Sequence, residues 1–335
     1  MKTIWAIGCT LFLLTISPLL TDASAQKVIE LSYNVFYPAQ HKHTLLAIEW
    51  AKEIEKRTDG RVKITVFPGG TIAPPNKAYQ GVITGISDLA FSVCDYTRGR
   101  FLLMEGLELP YGIRSSATNL IMAYFKKFQP EEFSDTKVMY IHGHGPGLIH
   151  TRKPVRTLED IKGMKIRCGG GIAEIAKHLG AAPVSMTMGE AYDALSKGVV
   201  EGIYAPYEPL EGFNLAEVVN YTTECYDIGY TTVQYIVMNK AKWNSLPSDI
   251  QGIIEKINEE WAEKTRQLWD ELDRTAKQFS LDRGHKIITL SKEESERWVK
   301  SQKPLFDKYI KDANARGLPG EEAVEFCFDY LKNHQ

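Results

Sequence analysis

The residue with the clearest capacity for chemistry is Arg167, which ends a short apolar segment and precedes three glycines. Gly163 is predicted to turn the chain into a strand at 164–168, and the glycines at 169–171 leave the backbone bare and approachable. A guanidinium matches a carboxylate or sulfonate with two parallel N–H···O bonds and keeps its charge when water is excluded. The pattern predicts an anion site here; the alternative is an arginine paired to a structural carboxylate on a surface loop.

Histidines are the next candidates, because imidazole is a common metal ligand. The chain carries His41, His43, His142, His144 and His150. The first four form two pairs spaced two residues apart, and such pairs point to opposite faces where the chain is extended. The sequence therefore predicts no metal site.

Motifs typical of enzymes are missing from the sequence. There is no G-x-S-x-G, no H-E-x-x-H and no cysteine beside a recognisable base. The glycine-rich segment 142–147 lacks the spacing of a dinucleotide or phosphate loop, so we interpret it as a flexible crossing between domains and expect no cofactor. The best enzyme alternative is a secreted hydrolase that uses Cys168 as its nucleophile.

Length and composition indicate an ordinary soluble protein of two domains. The chain has 335 residues, of which 44% are hydrophobic and 24% charged. Its net charge of −2 and the lack of a basic block argue against nucleic-acid binding.

The N-terminus is typical of a secretory signal peptide. Lys2 precedes an apolar run at 4–20, and an A-x-A site ends at Ala25, after which we predict cleavage. A retained membrane anchor is the alternative, but the run contains Pro18 and is shorter than the roughly 20 residues needed to span a bilayer. Export allows up to two disulfides among the remaining cysteines, although we expect mostly buried free thiols: Cys94, Cys168, Cys225 and Cys327.

Alternating strand and helix patterns run through the first domain. A strand is predicted at 28–36, a helix in which Leu46, Trp50 and Ile54 share one face, a strand at 62–66, a helix at 76–84 and a strand at 86–93. This order is typical of a doubly wound α/β domain. Ligands in such domains bind beyond the carboxyl ends of the strands, here residues 36–37 and 92–96.

The alternation restarts near Pro154. Helices are predicted at 172–179 and 189–197, with strands at 182–186 and 200–204, and a β-rich segment at 226–239 returns the chain to the first domain. From Pro247 one apolar face continues for some 35 residues, which makes a helix of roughly 50 Å that must brace both halves. A strand at 286–290 and a helix opened by a capping box at Ser291 complete the pattern.

These features together resemble the periplasmic solute-binding proteins of TRAP transporters, the DctP type. The resemblance rests on the signal peptide, the long helix and the order of the segments 60–70, 85–88, 109–111, 160–167, 195–202 and 243–247. It implies a two-lobed α/β fold with β-strand hinges and a long strut helix. It also implies a receptor that closes over an organic acid and passes it to small and large TRAP membrane subunits. In the family, the arginine matching Arg167 makes the salt bridge to the ligand carboxylate.

The sequence departs from the family pattern at two places. Ala205 stands where many members have an asparagine that orders the carboxylate, and Pro146 and Gly147 stand where some add a second basic residue. One cation among aromatic and soft side chains favours a monocarboxylate with an apolar or aromatic body. A short sulfonate or a dicarboxylate is the alternative ligand, and an ABC-type binding protein or chemosensory module is an alternative protein class.

The resemblance also implies a set of ligand-binding positions and a division into lobes. The positions are Arg167, Tyr37, Phe36, Val93, Cys94, Tyr96, Gly170, Met188, Tyr204 and Tyr207. Apolar strand-end residues such as Phe36 and Met188 can equally be core, and Glu208 is interpreted as an exposed loop carboxylate, with a ligand ammonium as its alternative partner. We expect a periplasmic monomer with lobe I at 26–150 plus about 235–280, and lobe II at 151–234 plus about 281–335.

Overall fold

The computed structural model describes residues 28–334 as two β-sheets with helices packed around them. The predicted signal peptide and its cleavage site lie outside these residues. The strands of the described part are β1 (Ile29–Val35), β2 (Val62–Phe67), β3 (Leu89–Val93), β4 (Thr136–Gly143), β5 (Leu148–Thr151), β6 (Lys165–Cys168), β7 (Ala182–Ser185), β8 (Gly202–Ala205), β9 (Tyr221–Glu224), β10 (Val233–Asn239) and β11 (Lys286–Thr289).

Helices separate and follow these strands. The α-helices are α1 (Lys42–Arg57), α2 (Ala78–Ile83), α3 (Leu102–Glu105), α4 (Thr118–Phe128), α5 (Leu158–Ile161), α6 (Ala173–His178), α7 (Ala191–Ser196), α8 (Pro209–Gly212), α9 (Lys240–Asn244), α10 (Ser248–Asp282), α11 (Lys292–Ala315) and α12 (Gly320–His334). Short 3₁₀ turns lie at Pro75–Lys77, Cys94–Tyr96, Gly106–Glu108, Glu131–Phe133, Met188–Glu190, Leu215–Glu217 and Tyr226–Ile228. Among the residues described, none of the helices combines the length and apolar character needed to cross a membrane.

The first sheet has the order β2-β1-β3-β10-β4. Its strands β2, β1 and β3 are parallel, whereas β10 runs antiparallel between β3 and β4. The amphipathic helix α1 covers one face, where Trp50 packs edge-on against Tyr33 with ring centroids 5.6 Å apart. The carboxyl ends of β1 and β3 therefore lie at one edge, which is where a doubly wound sheet places a ligand.

The second sheet has the order β11-β9-β5-β8-β6-β7. Strand β6 lies parallel to both β7 and β8, so that Arg167 pairs with Val184 on one side and Ile203 on the other. Strand β5 runs antiparallel to β8 and β9. Arg167 therefore lies on a strand inside the sheet and not on a surface loop.

Helix α10 spans both sheets, as its predicted 35-residue apolar face required. Near its start, Asn258 Oδ1 accepts a hydrogen bond from Trp50 Nε1 at 3.1 Å, and Trp261 Nε1 donates to Leu46 O at 3.0 Å. Near its end, Ala276 lies in the core of the second sheet. The helix is a strut bonded to both halves, and the fold is the predicted two-lobed α/β architecture.

Two chain crossings between the sheets pack on one another. The first crossing joins β4 to β5 and the second joins β9 to β10. Gly147 N–H donates to Tyr230 O at 2.8 Å, and a Cβ on Gly147 would lie 1.9 Å from Tyr230 Cε1. The glycine therefore permits a close contact at the crossing, which a larger residue would prevent.

Several elements differ from the sequence-based expectation. Strands β5 and β9 were not predicted, because at least two of the four residues in each are polar and neither shows an apolar run or an alternation. The predicted strand at 226–239 is a 3₁₀ turn at Tyr226–Ile228 followed by β10 only. His41 and His43 do not point to opposite faces; α1 begins at Lys42, and the two rings stack 5.5 Å apart.

The packing of the C-terminal helices bears on where one lobe ends and the other begins. The sheets place 148–151 and 286–289 on the second side, but α12 packs against α4 of the first side, and Cys327 shares a core with Tyr124. We propose that α12 belongs to the first lobe, whereas the sequence placed all of 281–335 in the second. All four cysteines of the described part are buried and unpaired.

Candidate functional site

A cavity at the carboxyl ends of the strands is lined by residues of both lobes, of the crossings and of the strut helix. Six of the ten predicted positions line it: Phe36, Tyr37, Val93, Tyr96, Arg167 and Met188. Aromatic rings form much of its wall, because Phe213 and Trp269 join Phe36 and Tyr37. Phe36 lines the cavity and belongs at the same time to the core of the first lobe.

Arg167 is a buried cation in this cavity, with 4% of its surface exposed. Its Nη2 donates to Met186 O at 2.7 Å and, at 3.4 Å, to the hydroxyl of Tyr96. Its Nε has no hydrogen-bond partner, and no carboxylate of residues 28–334 forms an ion pair with the guanidinium. The alternative of an arginine paired to a structural carboxylate is therefore not what the structure shows.

Tyr96 connects the first lobe to Arg167 and Met188 of the second. Its hydroxyl accepts a hydrogen bond from Met188 N–H at 3.0 Å and lies beside Arg167. Burial raises the pKa of Tyr96, although the positive charge of Arg167 opposes this. The phenol consequently stays neutral and serves as a positioning contact between the lobes.

The segment at 169–171 touches the first lobe directly. Gly171 N–H donates to Asp95 Oδ1, and Arg98 Nη2 donates to Gly170 O at 2.6 Å. Burial raises the pKa of the Asp95 carboxyl, while the Gly171 amide and Arg167 lower it. Gly170 therefore takes part in lobe contact, and it does not line the cavity.

Glu208 forms a buried pair with His41 and contacts the carboxyl group of Asp273, two contacts that the sequence did not predict. Glu208 is 2% exposed, and its Oε1 lies 2.6 Å from His41 Nε2 in the first lobe. Glu208 N–H donates to Asp273 Oδ1 of the strut helix at 2.9 Å. Burial raises the pKa of Asp273 to about 8, so this carboxyl is largely protonated at neutral pH. The interpretation of Glu208 as an exposed loop carboxylate is wrong, because its helix α8 packs against α10.

Aromatic stacking holds this pair in place. The ring of Tyr37 stacks on His41 with centroids 4.1 Å apart and lies 4.0 Å from Phe36. The Tyr37 hydroxyl donates to Gln234 Oε1 at 3.1 Å. Tyr37 therefore fixes both a wall of the cavity and the ring that binds Glu208.

Two neutral histidines lie at the cavity: His144 lines it, and His142 is buried in the adjoining strand β4. His144 Nε2 accepts from Thr232 N–H at 3.0 Å, so its Nδ1 carries the proton and donates to Gly145 O at 2.5 Å. Burial lowers the pKa of His144 to about 4 and that of His142 to about 3. No group of three or more potential ligands within residues 28–334 is arranged to hold a metal ion.

Four predicted positions do not line the cavity. Cys94 and Tyr204 are buried in the cores of the first and second lobes, and the Tyr204 hydroxyl donates to Ile228 O at 3.1 Å. Tyr207 donates to Glu224 Oε1 at 3.0 Å, and Gly170 contacts Arg98. Side chains alternate along a strand, so Ala205 faces the cavity and its neighbour Tyr204 faces away.

The structure adds residues that local sequence patterns did not single out as ligand contacts. They are Asp95, His144, Gly169, Ile172, Ala205, Pro206, Glu208, Pro209, Phe213, Tyr230, Thr232, Gln234 and Trp269. Trp269 follows Trp261 by eight residues on α10 and was detectable as part of its buried face. Asp95 lies in the predicted segment 92–96, and Ala205 and Glu208 were considered from the sequence. The others come from segments joined only by the tertiary fold.

Cys168 lacks the properties of a nucleophile. It lies in the core of the second lobe, where burial raises the pKa of its thiol to about 12. Its Sγ points to Ile166 O at 3.6 Å. Because the thiolate is the reactive form, the hydrolase interpretation has no support from this residue.

A sequence model described as bacterial extracellular solute-binding protein, family 7, matches residues 33–312 of the chain. A Comamonas testosteroni protein named outer membrane transporter protein TsaT is 25% identical over 328 residues, which are 95% of each chain. The C4-dicarboxylate-binding periplasmic protein DctP of Vibrio cholerae is 23% identical over 285 residues, covering 82% of this chain and 84% of that one.

A solved structure of similar shape comes from a marine metagenome. It is a TRAP solute-binding protein specific for aromatic acid ligands, in complex with metahydroxyphenylacetate. It is 29% identical to this chain, with a TM-score of 0.87 over 92% of this chain and 99% of that one.

Proposed function

Because the chain belongs to the bacterial extracellular solute-binding proteins of family 7, we propose that it captures a monocarboxylate with an apolar or aromatic body in the periplasm. It then delivers this ligand to the small and large membrane subunits of a TRAP permease. The family consists of transport receptors rather than enzymes, and the proposed role involves no chemical step and no cofactor. The protein acts as a monomer.

The observation that carries the proposal is the unpaired Arg167. A buried charge without a counter-ion is strongly unfavourable unless an anion joins it. Its free Nε and the neighbouring guanidinium nitrogens offer a carboxylate the two parallel bonds that a planar fork makes. The ligand supplies the missing negative charge.

The lining of the cavity supports an apolar ligand body. Phe36, Phe213 and Trp269 present rings, and Met188 presents a polarizable side chain that adapts to irregular shapes. The marine protein that is 29% identical to this chain binds an aromatic acid. We propose Arg167, Tyr37, Phe36, Val93, Tyr96 and Met188 as ligand contacts, and Gly170 as a lobe contact.

A dicarboxylate or a short sulfonate is the alternative ligand, and a relative in Vibrio cholerae is named for C4-dicarboxylates. A dicarboxylate needs a second cation. The nearby Arg98 is bonded to Gly170 O, and Ala205 leaves no side-chain amide beside Arg167. Both features favour one anionic group.

A thermal-shift screen tests the proposal. Benzoate, phenylacetate, indole-3-acetate, succinate, taurine and glycine would be compared, since binding to the folded state stabilises it by about 2.7 kcal/mol at a hundredfold excess over Kd. We expect the largest rise in Tm with an aromatic monocarboxylate. A larger rise with succinate or taurine, or no rise with any acid, would contradict the proposed ligand class.

A further inference from the structure

We infer that Glu208 is a second ligand-binding group, which accepts a hydrogen bond from a hydroxyl on the acid that Arg167 holds. This inference rests on the proposed function and narrows it from monocarboxylates to hydroxylated monocarboxylates. Both residues line the same cavity: Arg167 Nε is a buried donor without a partner, and Glu208 Oε2 accepts no hydrogen bond from residues 28–334.

The protonation of His41 follows from its two contacts. Its Nδ1 accepts a hydrogen bond from His43 N–H at 3.2 Å, so the ring proton is on Nε2. This Nε2–H donates to Glu208 Oε1 at 2.6 Å. His41 is then the donor of the pair through Nε2, and Glu208 Oε1 is the acceptor.

One oxygen of Glu208 remains available. Oε1 is bonded to His41, whereas Oε2 accepts no hydrogen bond from any residue in the range 28–334. Oε2 is not fully buried and remains accessible from the cavity, so a ligand that excludes water there leaves this oxygen without a donor unless the ligand supplies one. The cavity therefore favours a ligand that donates a hydrogen bond to Oε2.

The other carboxylate of the lining, Asp95, is already occupied by the opposite lobe. Its Oδ1 accepts from Gly171 N–H, and its Oδ2 packs against Gly169 so closely that a Cβ there would lie 1.4 Å away. Asp95 thus serves lobe contact, and Glu208 is the acceptor that faces the ligand.

A hydroxyl suits Glu208 better than an ammonium does. An ammonium brings three donors, and Glu208 offers one free oxygen, whereas a hydroxyl donates once and accepts through its lone pairs. Gln234 lines the same cavity, and its Oε1 is bonded to Tyr37, so its amide nitrogen supplies a donor for the hydroxyl oxygen.

Matched acids test this inference by calorimetry on the intact mature protein. The first set is mandelate, phenylglycine and phenylacetate, which carry a hydroxyl, an ammonium or a hydrogen on one skeleton. The second set is 3-hydroxybenzoate, 3-methoxybenzoate and benzoate, and the third is lactate and propionate. We expect the hydroxylated member of at least one set to bind about tenfold to a hundredfold more tightly than its partners.

Two variants test whether Glu208 causes the preference for the hydroxylated acid. In Glu208→Gln, the amide oxygen keeps the bond to His41 and the amide nitrogen replaces the acceptor, so the hydroxyl preference falls to about threefold or less. Glu211→Gln on the exposed side of the same helix is the control and keeps the preference.

Each outcome bears on one claim. If acids bind but wild-type affinity is equal with and without the hydroxyl, the Glu208 inference is wrong and the proposed function stands. If phenylglycine binds more tightly than mandelate, Glu208 binds an ammonium rather than a hydroxyl, and the inference is also overturned. If no acid in any set binds, the proposed function fails, and the inference fails with it.

Discussion

Gly169 and Asp95 touch across the cleft so closely that a Cβ on the glycine would lie 1.4 Å from Asp95 Oδ2. Gly169 belongs to the second lobe and Asp95 to the first, at the carboxyl end of β3. Gly169 does not have a positive φ, so its backbone is compatible with other residues. The requirement for glycine arises from the contact between the lobes.

Replacing this glycine tests the contact. In Gly169→Ala we expect each lobe to fold normally, because only the approach of Asp95 is obstructed, and we expect ligand affinity to fall by about tenfold or more as closure is impaired. Calorimetry with the best acid from the thermal-shift screen measures this. Gly252→Ala, where a Cβ meets nothing within 4 Å, is the control. Equal affinity in both variants would contradict the prediction.

Removal of the buried cation is the central test of the site. In Arg167→Ala the carboxylate of the ligand is buried without a partner, which costs roughly 3–5 kcal/mol. Binding should weaken by about two to three orders of magnitude. Arg167→Lys should recover part of this loss, because an ammonium cannot form the planar two-bond fork. Unchanged affinity in a folded Arg167→Ala protein would remove the site from this cavity.

Ala205 sets the space beside Arg167. The side chain is buried and lines the cavity. Ala205→Asn adds an amide that orders a carboxylate and fills room that a bulky body needs, so we expect the ratio of succinate to benzoate affinity to rise about tenfold or more. Calorimetry with both acids measures the ratio. An unchanged preference would show that Ala205 does not select the size of the ligand.

His150 makes stability depend on pH. Its Nε2 lies 3.0 Å from Ala205 O and 2.9 Å from Pro206 O, and burial lowers the pKa of its ring from 6.5 to about 3. Below pH 6.5 the imidazole of His150 binds a proton in the unfolded chain but stays neutral in the folded chain. The free energy of unfolding therefore falls as the pH drops below 6.5, by about 2 kcal/mol at pH 5 for this one group.

Urea unfolding at pH 7 and pH 5 measures this dependence. His150→Gln should be less stable at pH 7, because its contacts to the carbonyls are altered, but it should lose about 2 kcal/mol less than wild type on acidification. His334→Gln, at the exposed end of α12, should behave as wild type. An equal loss in His150→Gln and wild type would contradict the assignment.

Local patterns in the sequence determined the elements with long, regular periodicity. The alternation at β2, the apolar face of α1 and the 35-residue face of α10 each depend on residues a few positions apart. Arg167 was also identified locally, since a strand that ends in an arginine before three glycines is visible in the sequence. Strands β5 and β9, with at least two polar residues out of four, show neither an apolar run nor a period.

The tertiary structure alone decided which side chains meet. His41 and Glu208 are separated by 167 positions, and Asp95 and Gly171 by 76, so no local pattern links them. The resemblance put both Ala205 and its neighbour Tyr204 at the site, and only the packing of β8 shows that Ala205 lines the cavity whereas Tyr204 lies in the core. The sequence determined the long periodic elements and singled out Arg167, because both follow from nearby residues. The contacts between the lobes depend on how the two sheets pack on the strut helix.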